Sequence, residues 1–85
     1  MGGPDTPLTC ELLAELLERE GHRPDSYGIG RRGKYRDQAF VLDRWSKHWV
    51  VYYTERGEKT HIRKYLSEDA ACHDLLDRLR GGAVL

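Results

Sequence analysis

The sequence predicts an α+β domain. It reads as a helix, a three-stranded antiparallel β-meander with room for a short fourth strand, and a second helix, with both helices packed on one sheet face. Three observations predict it. Leucines recur at helical spacing in two separate stretches, Leu12, Leu13, Leu16, Leu17 and Leu75, Leu76, Leu79, as the apolar stripe of a half-buried helix requires. Between them, His48 to Leu66 (HWVVYYTERGEKTHIRKYL) holds two runs rich in apolar and aromatic residues, divided by Glu55-Arg56-Gly57-Glu58. That is the pattern of a β-hairpin. Finally, the residues that start and stop helices stand at the ends of both leucine stretches.

Residues 1–8 form a Gly/Pro-containing lead-in, expected to be disordered at its start. Thr9 can cap a helix over about 9–20, because its hydroxyl accepts from an unpaired N–H of the first turn. Gly21 can take the left-handed stop conformation and Pro24 blocks resumption. Ser26-Tyr27-Gly28-Ile29 can form a short strand, followed by the basic, glycine-punctuated loop Gly30-Arg31-Arg32-Gly33-Lys34-Tyr35-Arg36. Ala39 to Arg44, Trp49 to Thr54 and Lys59 to Leu66 read as the meander, turning at Ser46-Lys47 and Arg56-Gly57. Ser67 caps the second helix, about 68–80, with Glu68 and Asp69 at the positive end of its dipole. Ala71, Cys72, Leu75, Leu76 and Leu79 form its stripe, and Gly81-Gly82 end it. The domain is therefore expected over 9–80, with a flexible tail at 81–85.

Turns at those two places pair Leu42 with Val51 and Val51 with Ile62. Phe40, Leu42, Trp49, Val51, Tyr53 and Ile62 then share the face under the helices. Val41, Asp43, Val50, Tyr52, His61, Arg63 and Tyr65 share the opposite face, expected to be open to partners.

A chain of 85 residues makes one domain and hides roughly 60% of its unfolded surface. No apolar run reaches the ~20 residues of a membrane span, and the start MGGPDTP has neither the basic nor the apolar region of a secretory signal. The net charge is zero but unevenly spread. Residues 1–29 hold six acids and two bases, residues 30–65 ten bases and four acids, and residues 66–85 four acids and two bases. Acidic helices thus flank a basic sheet, which bears on partners rather than on fold. Cys10 and Cys72 lack metal-ligand spacing and read as small apolar residues of a cytoplasmic protein, with an inter-helix disulfide as the alternative.

Four patterns bear on function. Arg31, Arg32, Lys34 and Arg36 beside Tyr35, and Arg63 beside Tyr52 and Tyr65, could track phosphates and stack bases; the same residues could meet an acidic protein. His22, His48, His61 and His73 fit no metal motif, and although His61 could be oriented by Asp43, no serine or cysteine stands in a nucleophile context. Gly28-Ile29-Gly30-Arg31-Arg32-Gly33 spells a dinucleotide fingerprint but leads into a basic run and a strand instead of opening a helix. Glu55 and Arg56 beside Tyr52 and Tyr53 make a hairpin tip suited to protein contact.

The run Ala39-Phe40-Val41-Leu42, then Trp49-Val50-Val51-Tyr52-Tyr53-Thr54-Glu55-Arg56-Gly57, then Ser67-Glu68-Asp69-Ala70-Ala71-Cys72 and a leucine-rich helix resembles a group of small bacterial proteins. Some of these look like immunity proteins of polymorphic or contact-dependent toxin systems. The resemblance covers about residues 39–79 and departs from the pattern at 30–36, where this chain is more basic. It implies a non-enzymatic protein that binds and blocks a cognate toxin, with no cofactor and no metal. The residues expected at the interface are Arg31, Arg32, Lys34, Tyr35, Arg36, Tyr52, Glu55, Arg56, His61, Arg63 and Tyr65. The alternative is a small nucleic-acid-binding protein using the basic loop and the aromatic face. Edge-strand dimerisation through 26–29 or 59–66 is compatible with either.

Overall fold

A computed structural model describes residues 7–30 and 37–81. Six regular elements follow in order: α1 (Cys10–Arg19), β1 (Tyr27–Ile29), β2 (Ala39–Trp45), β3 (His48–Glu55), β4 (Glu58–Tyr65) and α2 (Glu68–Leu79), with a 3-10 turn at Pro24–Ser26 before β1. The strands form one sheet in the order β1-β2-β3-β4. The expected α+β architecture is therefore present, with one refinement. β2, β3 and β4 are the antiparallel meander, but β1 runs parallel to β2, pairing Tyr27 with Phe40, Gly28 with Val41 and Ile29 with Leu42. Parallel neighbours ordinarily need a crossover of a dozen or more residues. Here nine (30–38) suffice, because a three-residue strand leaves little length to retrace.

Both helices begin and end as their sequences dictate. The Thr9 hydroxyl accepts from Leu12 N–H, and the Ser67 hydroxyl from Ala70 N–H. Gly21, at φ +81°, closes α1: its own N–H donates to Glu18 C=O and that of His22 to Leu17 C=O, the paired bonds of a Schellman stop.

The helices lie parallel, side by side. At their N-terminal ends, Cys10 N–H donates to Glu68 Oε2 at 2.8 Å and Leu8 N–H to Asp69 Oδ1 at 2.7 Å, so acidic residues of α2 satisfy unpaired donors around the start of α1. Asp69→Ala is expected to cost about 1 kcal/mol, the usual loss of such a cap, read as a lower urea midpoint. At the C-terminal ends, the Arg80 guanidinium bonds the Glu20 carboxylate, which also meets His22 Nε2 at 3.0 Å. Arg80 first, then His22, hold the Glu20 carboxyl down to about 2 from its ordinary 4.5. Because the folded value is depressed, this contact stabilises fully above the ordinary carboxyl range and is lost as pH falls toward about 2. Urea midpoints of the wild type and Glu20→Gln are therefore expected to differ at neutral pH and to converge on acidification through that window.

The core lies between the helices and the sheet. Leu13 and Leu17 of α1, and Ala71, Cys72, Leu75 and Leu76 of α2, close on Leu42 and Val51. Phe40, Trp49, Tyr65, Tyr27 and Ile29 pack around them. Phe40 and Tyr53 meet across β2 and β3 with ring centroids 5.0 Å apart. Five of the six residues expected on this face are there. Ile62 is the exception, at 44% exposure.

The cause is one inserted residue. The β3–β4 ladder begins as expected, with Glu55 opposite Glu58 and Tyr53 opposite Thr60, then resumes with Val51 opposite Arg63 and Trp49 opposite Tyr65. His61 and Ile62 together oppose Tyr52, and His61 takes φ +54°. This is a β-bulge, and everything beyond it changes sides relative to an unbroken ladder. A regular strand would set Lys64 opposite Trp49 under the helices. The bulge sets Tyr65 there instead, where its hydroxyl donates to Asp74 of α2 at 2.5 Å. Asp74 also accepts from Arg78 at 2.9 Å, with the Arg78 side chain buried and that of Asp74 nearly so.

Candidate partner-binding surface

The expectation that one open sheet face carries Tyr52, His61, Arg63 and Tyr65 is corrected on two counts. The bulge separates the residues, and the face is not bare. Val41 and Val50 are fully buried, Ala39 and Tyr52 are 1% exposed, and Thr54 is buried too. The Tyr52 ring lies tilted against Trp45 with centroids 5.8 Å apart, and the Lys59 ammonium sits 5.6 Å from the Tyr52 centroid. Burial, with the charge of Asp43, raises the Tyr52 phenol above its ordinary pKa. Tyr52 is a packed residue in this structure. Tyr65, on the helix side of the sheet, is half-buried against Asp74, and burial followed by that hydrogen bond raises its phenol as well, with Arg63 beside it pulling the other way. The pairing of His61 with Asp43 is likewise not made, since His61 Nδ1 meets Thr60 Oγ1 at 3.2 Å.

The exposed residues gather instead along β4 and its hairpin tip. Every residue from Glu58 to Lys64 is exposed, because β4 is an edge of the sheet and the bulge turns Ile62 away from the core. By parity, Lys59, His61, Ile62 and Lys64 share the side facing away from the helices, and Leu66, just past the strand, is 82% exposed. Ile62 thus stands between lysines. Arg63 lies on the other side, exposed at the rim beside Tyr65. The inserted residue and the charged side chains are also devices that discourage open-ended strand pairing at such an edge.

The tip is held firmly. Arg56 and Gly57 both take positive φ, 54° and 81°, as a two-residue hairpin turn of the type matched to strand twist requires. Arg56 N–H donates to Asp37 Oδ1 at 2.6 Å, tying the tip to the segment before β2. Glu55 and Arg56 are exposed there and, with Glu58 and Thr60, line a shallow recess of about 380 Å³.

Of the residues expected at an interface, Glu55 and Arg56 are therefore exposed at the hairpin tip, His61 and Arg63 are exposed on opposite sides of β4, Tyr65 is half-buried, and Tyr52 is inside. Arg31, Arg32, Lys34, Tyr35 and Arg36 lie outside the described residues. Lys59, Ile62, Lys64 and Leu66 were not foreseen. No local mark betrays a bulge at His61, so only the ladder itself reveals them. Among the described residues, no group of three or more His, Cys, Asp or Glu side chains is placed to hold a metal ion, and no helix is long and apolar enough to cross a membrane.

Comparison of the chain with protein-family models, curated proteins and solved structures finds no match.

Proposed function

We propose that this protein is a non-enzymatic binding module that docks an acidic protein partner on β4 and the β3–β4 hairpin tip. The observation that carries this reading is the exposed edge strand, in which Ile62 stands between Lys59 and Lys64 on one side, with exposed Leu66 just past its end. Arg56, Lys59, Arg63 and Lys64 outnumber Glu55 and Glu58 along 55–65, so the surface favours an acidic counterpart, and the two apolar groups offer area that is stabilising to bury. The resemblance of residues 39–79 to immunity proteins of bacterial toxin systems suggests the kind of partner: a toxin domain that this protein would occlude.

The nucleic-acid alternative needs aromatic faces on which bases can stack. Tyr52 is buried and Tyr65 is held by Asp74, so the described part of the sheet favours protein contact.

A tagged pull-down from host lysate, with and without nuclease, tests the proposal. The expected result is a single stoichiometric protein that survives nuclease and moderate salt, is retained by Glu15→Lys on α1, and is lost with the double charge reversal Lys59→Glu/Lys64→Glu. Capture of nucleic acid, with affinity falling steeply as salt rises, would replace this reading with the alternative.

A further inference from the structure

The two cysteines are left unused by the binding surface, and they are not scattered. Cys10 is the first residue of α1, and Cys72 lies one turn into α2. The parallel pairing of the helices, fixed by the Cys10 N–H bond to Glu68, brings them together. Both are free; Glu68 and Cys72 stand one turn apart on the same side of α2, and Cys10 packs against the core cluster that contains Cys72. Their exposures differ. Cys72 is fully buried, whereas Cys10 is half-buried and lines an open groove of about 430 Å³ between α1 and β1, with Glu11, Ala14, Pro24, Tyr27, Gly28 and Ile29. The groove lies at the β1 edge of the sheet, opposite β4.

We infer that Cys10 and Cys72 form a dithiol redox centre that exchanges with small disulfides, Cys10 being the entering nucleophile and Cys72 the resolving thiol, and that its product is a disulfide linking α1 to α2. An attacking thiol must be reachable and able to ionise, and a resolving thiol needs only to touch the sulfur it attacks. Cys10 meets the first condition, and the pairing of the two helices sets Cys72 in the core it packs against, within reach for the second. Cys10 opens onto solvent at a helix N-terminus, where the dipole favours an anion. The groove beside it can admit a peptide-sized disulfide. Cys72 lies in the core cluster against which Cys10 packs.

The surroundings push the two thiols apart in acidity. The Cys72 thiol lowers the Cys10 pKa, against burial and the hydrogen bond and charge of Glu68. The Cys10 thiol, then burial, then the charges of Cys10, Glu68 and Asp69 raise that of Cys72. Glu11 and Tyr27 are the other titratable groups on the groove wall.

The reaction balances without another reagent. The Cys10 thiolate attacks one sulfur of a small disulfide, forming a mixed disulfide and releasing one thiolate. Cys72 gives its proton to solvent and attacks Cys10 Sγ, which expels the second thiolate. The two protein thiols are oxidised, and the small disulfide is reduced to two thiols.

The test is to incubate the native protein with oxidised glutathione and map the unreduced peptides by mass spectrometry. The wild type is expected to end with a Cys10–Cys72 bond, Cys72→Ser to accumulate glutathione on Cys10, and Cys10→Ser to remain unmodified. Cys72→Ala, which keeps a small apolar side chain in the core, serves where the serine variant does not fold. Glutathione persisting on Cys10 of the wild type, modification of Cys72 in Cys10→Ser, or a wild type whose thiols both stay reduced would each overturn the inference.

Discussion

Replacing Asp74 with alanine is expected to cost on the order of 3–5 kcal/mol of folding stability, the usual loss when one partner of a buried ion pair is removed. The side chains of Arg78 and Asp74 are only 4% and 10% exposed. Asp74 accepts from Arg78 Nε and Nη2 and from the Tyr65 hydroxyl. Without it, a buried guanidinium whose Nη1 already has no hydrogen-bond partner among the described residues keeps none, and Tyr65 loses its anchor. The loss comes from the orphaned charge rather than from the pair as such. Replacing both residues together, Asp74→Leu with Arg78→Met, is therefore expected to cost far less than Asp74→Ala alone. Urea melts of the single and double variants measure this. A loss under about 1 kcal/mol for Asp74→Ala would show that Arg78 reaches water, as surface pairs do.

Tyr52→Ala is expected to cost about 3–5 kcal/mol, the range for deleting a large aromatic ring from a packed site. The ring is 1% exposed, packed at a tilt against Trp45 on the sheet face that carries fully buried Val41 and Val50. Had Tyr52 stood on an open binding face, the same substitution would change stability by less than about 0.5 kcal/mol. The urea midpoint separates these outcomes before any partner is in hand. It also sets a condition on partner studies: binding lost in Tyr52→Ala would report on folding, whereas binding lost in Lys59→Glu/Lys64→Glu would report on contact.

What was legible in the sequence was whatever local chemistry determines. Thr9 and Ser67 cap the helices because each hydroxyl needs only the next turn as partner, and Gly21 and Gly57 take conformations that other residues avoid. The hairpin turns, and the pairing of Leu42 with Val51, followed from turn length alone. What was not legible depends on distant partners. The segment Thr60-His61-Ile62-Arg63-Lys64-Tyr65 can present Ile62 to the helices in one frame or Tyr65 in the other. Asp74, nine residues further on, offers a buried acceptor that only Tyr65 can use. The parallel course of β1 and the burial of Val41, Val50 and Tyr52 are likewise decided by tertiary packing. The candidate surface moved accordingly. Its charged members at the hairpin tip are exposed, Tyr52 and Tyr65 are packed, and Ile62 comes into view only through the bulge.

That bulge sorts the side chains of β4 between the core and the exposed surface, so its direct observation decides most. Cross-strand nuclear Overhauser contacts in solution would provide it. The predicted result is Val51 opposite Arg63 and Trp49 opposite Tyr65, with the Tyr65 ring close to α2 and the Ile62 methyls free of helix contacts. Contacts from Ile62 methyls to Leu13, Leu17 or Leu75, with Val51 opposite Ile62, would mean an unbroken ladder and return Ile62 to the core. They would also remove the surface on which the proposed function rests.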